Sequence, residues 1–393
     1  MSAPGSSPLP SSVDYLRRAL RLAARGRYRT SPNPRVGAVL VRNAEVVGSG
    51  WHRQVGGPHA EVEALREAGD RARGATLYVT LEPCAHHGRT PPCADAVVAA
   101  GVARVVACHG DPDPRVGGRG FARLREAGIE VEVGILAEEA VRLNLQFLVA
   151  ATLGRPAVTL KWAMSLDGKI ATVTGASHWI SSPQARRWSL ALRDEHDAIL
   201  VGSGTILADD PSLDRRLKLA PGPNLRIILD RRLRTPPEAT LFTVPGPVLI
   251  YTQSTDRGRH EALAAREAEV VQLAAVEPAA VLADLYQRGV RSVLVEGGGE
   301  IHASFVAAKL YDQVRVDCAP LLIGGKGAPA PLGGLGFATL DETPRLEELE
   351  VRRRGGDLLI LGFRRGCLQD LLACVGSETG LLESRDGTGG RPP

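Results

Sequence analysis

Apolar positions along the first 150 residues switch repeatedly between two periods. Residues 15–24 place Leu and Ala at helical spacing with Arg between them, which predicts an amphipathic helix stopped by Gly26. Short apolar runs at 36–41 and 45–49 predict two strands joined by a turn. A helix over 60–68, a strand over 75–80, a helix over 94–100 closed by Gly101 and a strand over 104–108 follow. This alternation predicts a three-layer α/β domain with a partly parallel sheet. The pattern restarts after Gly154-Arg155-Pro156, with strands expected at 157–163, 198–201, 225–229, 248–251, 292–295 and 313–318. Helices are expected at 183–193 and 279–288, giving a second α/β domain.

The division that follows is a leader over 1–12, a first domain over 13–150, a linker over 151–156, a second domain over 157–363 and a flexible tail over 364–393. A hydrophobic content of 44% with 23% charged residues is that of a globular chain, and no apolar run reaches membrane-spanning length. The first dozen residues lack a basic start and an apolar block, so a cytoplasmic chain is expected. The net charge of +4 is dispersed, which fits an anionic small molecule better than a nucleic-acid groove. The six cysteines form no disulfide framework, so a His with a spaced Cys pair points to metal.

That pattern is present as His59-Ala60-Glu61, then Pro83-Cys84, then Cys93 after eight intervening residues. One imidazole and two thiolates make a three-ligand zinc site with a fourth position open, the arrangement in which zinc activates water. His59 and Cys93 each follow proline at a predicted helix start, where a thiol's pKa falls. Glu61 stands two residues past His59 and so points elsewhere on the helix, as an acid/base rather than a ligand. Hydrolytic deamination of an amino-substituted heterocycle is the chemistry this set performs. The rivals are a deaminase of a free or RNA base and a zinc-stabilised binding module. In the second half, Glu296-Gly297-Gly298-Gly299 after a strand, and Gly202-Ser203-Gly204-Thr205 after another, offer backbone N–H groups to a phosphate.

Three segments resemble the bifunctional deaminase/reductase of riboflavin biosynthesis (RibD type): residues 30–37 (TSPNPRVG), 57–62 (GPHAEV) and 80–93 (TLEPCAHHGRTPPC). Cytidine and tRNA adenosine deaminases usually keep only two residues between the cysteines. Ala85 stands where that family has Ser. The resemblance implies a cytidine-deaminase-like first domain in which Asn33 and Glu61 hold the pyrimidine. His52, His86 and Arg89 would lie near the ribose phosphate. It extends to residues 161–169 (KWAMSLDGK), 177–182 (SHWISS) and 205–211 (TILADDP), and implies a dihydrofolate-reductase-like second domain using NADPH. Met164, Thr205, Asp209, Gly298, Gly299, Glu300, Ile301, His302, Ala303 and Ser304 would line the cofactor site. Ser177, Trp179, Arg193, Leu213, Arg216 and Glu296 would contact substrate, with Arg193 and Arg216 as phosphate partners. Asp214-Arg215 precedes Arg216 where the family has Thr-Val, and Arg231 stands where it has Ser, within reach of the cofactor's extra phosphate. The expected protein is an α/β enzyme taking a phosphorylated pyrimidine, with zinc and NADPH and no nucleic acid or membrane partner. A homo-oligomer is compatible with the sequence, which does not specify one.

Overall fold

The computed structural model describes residues 10–85, 91–113 and 117–376. The chain divides into two compact units, one running to Thr152 and resuming at Leu368, the other spanning Leu153–Cys367.

The first unit opens with α1 (Ser12–Ala23), capped by Ser11, whose side chain and backbone exchange hydrogen bonds with Asp14. β1 (Gly37–Arg42), β2 (Glu45–Trp51), α2 (Ala60–Ala68), β3 (Thr76–Val79), α3 (Cys93–Ala99), β4 (Arg104–Ala107), α4 (Arg119–Glu126), β5 (Glu130–Val133), α5 (Ala137–Leu143) and α6 (Leu145–Leu153) follow. The five strands lie in the order β2-β1-β3-β4-β5, with β1 antiparallel to both neighbours and β3, β4 and β5 parallel. Residues of α2, α3 and α4 bury one face of this sheet, and residues of α1 and α5 the other. This is the three-layer arrangement expected from the alternating pattern.

Helix α2 lies unusually close to β2. A Cβ built on Gly48 would stand 2.2 Å from the Ala64 carbonyl oxygen, and one on Gly50 2.4 Å from that of Ala60. Only glycine permits this approach, and Ala60, Ala64 and Ala68 present the small side chains that match it. The N-terminus of α2, with His59 as its N-cap residue, is thereby fixed against the sheet.

The second unit contains β6 (Ala157–Ser165), α7 (Pro183–Glu195), β7 (Ala198–Gly202), α8 (Ser203–Asp209), β8 (Leu225–Leu229), β9 (Val248–Thr252), α9 (Arg257–Ala264), β10 (Ala268–Gln272), α10 (Pro278–Gln287), β11 (Ser292–Val295), α11 (Gly299–Ala307), β12 (Gln313–Ala319), β13 (Leu346–Arg354) and β14 (Asp357–Arg364). Its nine strands are ordered β10-β9-β8-β7-β11-β6-β12-β14-β13. They are parallel from β10 to β12, and β14 and β13 are added antiparallel at one edge. The central strands are buried along their whole length, as parallel strands covered on both faces must be. In such a sheet ligands gather at the carboxyl ends of the strands, and both glycine-rich turns are there.

Of the flexible tail expected over 364–393, the structure corrects the part up to residue 376, and residues 377–393 lie outside the described residues. Cys367–Val375 forms a last helix, α12, in which Leu368, Leu371 and Val375 are buried. Residues 368–376 belong to the first unit, where the Gly110 N–H donates to the Val375 carbonyl at 3.3 Å. Replacing Leu371 with Ala should therefore lower stability by about 2–5 kcal/mol, read from urea unfolding of the full chain. An unchanged midpoint would return this segment to an unpacked tail.

Candidate active sites

In the first unit, the donor atoms of His59, Cys84 and Cys93 lie within 4.8 Å of one another. His59 sits at the N-cap of α2, Cys93 is the first residue of α3, and Cys84 follows the β3 turn. His59 Nδ1 is 3.1 Å from Cys93 Sγ and 3.6 Å from Cys84 Sγ. The Cys93 N–H donates to Cys84 Sγ at 3.4 Å, and the Ala94 N–H donates to the Cys84 carbonyl at 3.1 Å. Hydrogen bonding with Cys93 holds the Cys84 thiol well below its ordinary pKa, while the same contact with Cys84 drives the Cys93 thiol up. Two thiols competing for one proton beside an imidazole form a donor set that a divalent cation relieves, since metal coordination takes both as thiolates.

Glu61 is 3% exposed on the first turn of α2. Burial pushes its carboxyl up to about 7, with His59 opposing. Its Oε2 has no hydrogen-bond partner among the described residues. A buried carboxylate oxygen left unmade beside a metal donor set requires a missing polar partner. The residues present therefore fit a zinc ion with a water beside it.

Asn33 and His52 are brought to the same place. His52 Nδ1 is 3.1 Å from the Pro58 carbonyl and so donates to it, and Asn33 Nδ2 stands 3.2 Å from His52 Nε2. Burial lowers the His52 pKa, which keeps it neutral and able to accept from Asn33. Its ring meets that of His59 edge to face at 5.4 Å. His86 and Arg89 lie outside the described residues. Glu82, quoted in the cysteine motif without a role, is 3% exposed and accepts four backbone N–H groups from residues 111–121. An acidic residue at the end of an apolar strand was the signal that it has a structural task.

In the second unit the two glycine-rich turns, far apart in sequence, become neighbours because β7 and β11 pair in parallel. A Cβ on Gly297 would stand 2.7 Å from Thr205 Oγ1, and one on Gly202 2.8 Å from Ile301 Cγ1. Glu300 accepts from the Gly334 N–H at 3.0 Å, Ser304 Oγ donates to the Ile301 carbonyl, and Ala303 packs on the same helix. His302 is buried with Nδ1 3.1 Å from the Pro331 carbonyl and Nε2 3.2 Å from that of Val295. Its ring is committed to the fold rather than exposed to a ligand.

The residues named for substrate sort into different environments. Arg193 and Glu296 form a forked pair, Nε to Oε1 at 2.9 Å and Nη2 to Oε2 at 2.6 Å, and Arg193 Nη1 also donates to the Asp214 carbonyl. Burial pushes the Glu296 carboxyl up, but Arg193 outweighs it and holds the group below its usual range. The guanidinium fork expected to face a phosphate is thus spent on a carboxylate. Arg216 is exposed with only a 3.4 Å contact to Asp214, whereas Arg215 is pinned by the Arg193 and His196 carbonyls. Leu213 is 2% exposed, and its side chain packs in the core beside Ile199 and Val201. Ser177 Oγ donates to Asp209 at 3.1 Å, and exposed Trp179 carries the Arg186 guanidinium 4.3 Å over its ring. Met164 is half-buried on β6, and Arg231 is exposed just after β8. Lys161, which sequence gave no firm role, lies 3.5 Å from buried Asp317, whose Oδ1 has no partner among the described residues.

The profile described as the cytidine and deoxycytidylate deaminase zinc-binding region matches residues 10–109, and the RibD C-terminal domain matches 156–360. A riboflavin biosynthesis protein RibD from Bacillus amyloliquefaciens is 44% identical over 348 residues, covering 88% of this chain and 94% of that protein. One from Escherichia coli K12 is 42% identical over 363 residues, covering 88% and 97%. Among solved structures, Acinetobacter baumannii RibD superposes with a TM-score of 0.80 at 37% identity, covering 90% of this chain and 98% of that one. A diaminohydroxyphosphoribosylaminopyrimidine deaminase/5-amino-6-(5-phosphoribosylamino)uracil reductase from Thermotoga maritima gives 0.79 at 35%, with the same coverage. With both halves matched in order and the metal donors assembled, the chain belongs to the RibD family of bifunctional deaminase/reductases of riboflavin biosynthesis.

Proposed function

We propose that the first unit removes the 2-amino group of 2,5-diamino-6-(5-phosphoribosylamino)pyrimidin-4-one, and that the second then reduces the ribosyl side chain to ribityl with NADPH. The observation that carries the first step is the His59, Cys84 and Cys93 cluster with the buried, unpartnered Glu61 carboxyl beside it. These three residues would hold zinc, which would supply a water acidic enough to act as a nucleophile near neutral pH. Glu61, poised near 7, takes a proton from the attacking water and returns it to the departing ammonia. Asn33 donates through Nδ2 to neutral His52 and so keeps its carbonyl oxygen for a ring N–H of the pyrimidine. His86 and Arg89 are proposed for the ribose phosphate, a forked guanidinium suiting that anion.

In the second unit the paired turns at Thr205 and Gly297–Gly299, with Met164, Asp209 and residues 298–304, are proposed to hold NADPH. NADPH bound there would supply the hydride that reduces the ribosyl side chain. Lys161 is the cation set among buried acids there, whereas Asp209 is engaged by Ser177. Ser177, Trp179 and Arg216 are proposed at the substrate. The buried Arg193–Glu296 pair anchors α7 to the end of β11 and shapes that side of the site. Leu213 contributes through the backbone fold it stabilises. Among the described residues no helix is long and apolar enough to cross a membrane. A cytoplasmic enzyme of small phosphorylated substrates accords with this.

Glu61→Gln should retain one zinc per chain while ammonia release falls by roughly 100-fold or more, with NADPH oxidation on the deaminated substrate unchanged. Ammonia release at the original rate would remove Glu61 as the acid/base. Glu296→Gln should leave Arg193 buried without its counter-charge and cost about 3–5 kcal/mol, read from the urea midpoint of the second unit. An unaltered midpoint would show that the pair is hydrated in solution.

A further inference from the structure

The Glu82 carboxylate, which no metal-ligand role explains, collects more hydrogen bonds than the metal donors beside it. Oε2 accepts from the Asp111 N–H at 3.0 Å and the Gly118 N–H at 2.9 Å. Oε1 accepts from the Gly120 N–H at 2.8 Å and the Phe121 N–H at 3.3 Å. Both oxygens are fully used as acceptors, which an ionised carboxylate does and an amide cannot. The Glu82 N–H in turn donates to the His109 carbonyl at 3.0 Å, extending the β3–β4 ladder by one step. The segment so gathered presses on the metal turn itself. A Cβ on Gly120 would stand 1.9 Å from the Pro83 carbonyl oxygen, so only glycine can occupy that position.

Glu82 and Pro83 are the two residues preceding Cys84. Pro83 has a fixed φ, so whatever fixes Glu82 and the Pro83 carbonyl also fixes where the Cys84 thiol is presented. On its other side Cys84 is held by the N–H groups of Cys93 and Ala94 at the start of α3. We infer that Glu82 is a positioning residue for the deaminase metal centre: by gathering the backbone of Asp111, Gly118, Gly120 and Phe121 around the Pro83-Cys84 turn, it pre-sets the Cys84 ligand. Partners behind metal ligands that orient them typically contribute 10–100-fold in affinity. This inference rests on the zinc-deaminase reading of the site but concerns the affinity of the ligand set, not turnover.

The test is zinc affinity of the full-length protein, measured by chelator competition on folded, metal-stripped Glu82→Gln, Glu82→Asp and Gly120→Ala. The amide of Glu82→Gln points N–H groups at N–H groups, so its zinc dissociation constant should rise roughly 10–100-fold. Glu82→Asp, which keeps two acceptor oxygens, should recover part of that loss. Gly120→Ala disturbs the same turn from the opposite side and should weaken zinc comparably. In all three, NADPH oxidation on the deaminated substrate should match the parent chain, which reports an intact second unit, and the far-ultraviolet circular dichroism of the metal-stripped chain should match it too, which reports that the first unit is folded. Should Glu82→Gln and Gly120→Ala lower the unfolding midpoint yet bind zinc as tightly as the parent, Glu82 is a fold stabiliser and the inference is overturned. A parent chain that binds zinc tightly but releases no ammonia would instead defeat the deaminase reading, leaving the affinity comparison intact.

Discussion

The close seat of α2 on β2 is the contact on which the first unit's chemistry depends. Because Gly48 and Gly50 lack side chains, the helix backbone comes to within van der Waals range of the sheet, and Ala60 and Ala64 keep it there. The helix start then delivers His59 and Glu61 to the C-terminal end of β3, where Cys84 and, through α3, Cys93 arrive from the other direction. A larger residue at either glycine would lift the helix and separate the imidazole from the thiols. Burial follows from the same seat. It is burial that brings the Glu61 carboxyl near neutrality, the range in which a carboxyl is able both to accept and to donate a proton.

The second unit solves a different problem. It brings acids and bases into its core and balances them in pairs: Arg193 with Glu296, Arg155 with Asp312, Lys161 beside Asp317. Such pairs add little net stability over apolar replacements, but losing one partner is costly, so they hold the geometry of strand ends against drift. Two of these pairs join residues at β11, α7, β6 and β12, the strand ends where the glycine-rich turns also lie. The parallel topology is what converts two unremarkable Gly-rich stretches into one continuous lining.

The sequence was most legible where local chemistry and burial coincide. Strands β8 and β11 fall at the expected residues because they are apolar throughout, and the metal ligands were visible from spacing and helix starts alone. β13 was missed because Leu346–Arg354 is an exposed, charge-rich edge strand with no apolar alternation, the composition that protects a sheet edge from pairing with another chain. Arg193 reads as a phosphate contact until its partner is known, and that partner lies 103 residues away on another strand end. His302 and Leu213 fall within segments matched to the family, yet their side chains serve the core. Glu82 shows the same limit: its four partners are the backbone N–H of Asp111 and three at the start of α4, which no spacing rule connects to it.

The central claim is that one chain carries two sequential activities, and a single assay addresses it most directly. The purified full-length protein, supplied with zinc, the diaminopyrimidine ribosyl phosphate and NADPH, is followed for ammonia and for NADPH together. The account predicts that each ammonia released is matched by one NADPH oxidised, with ammonia appearing first. NADPH oxidation that proceeds without ammonia release, or ammonia release that is never followed by NADPH oxidation, would contradict it.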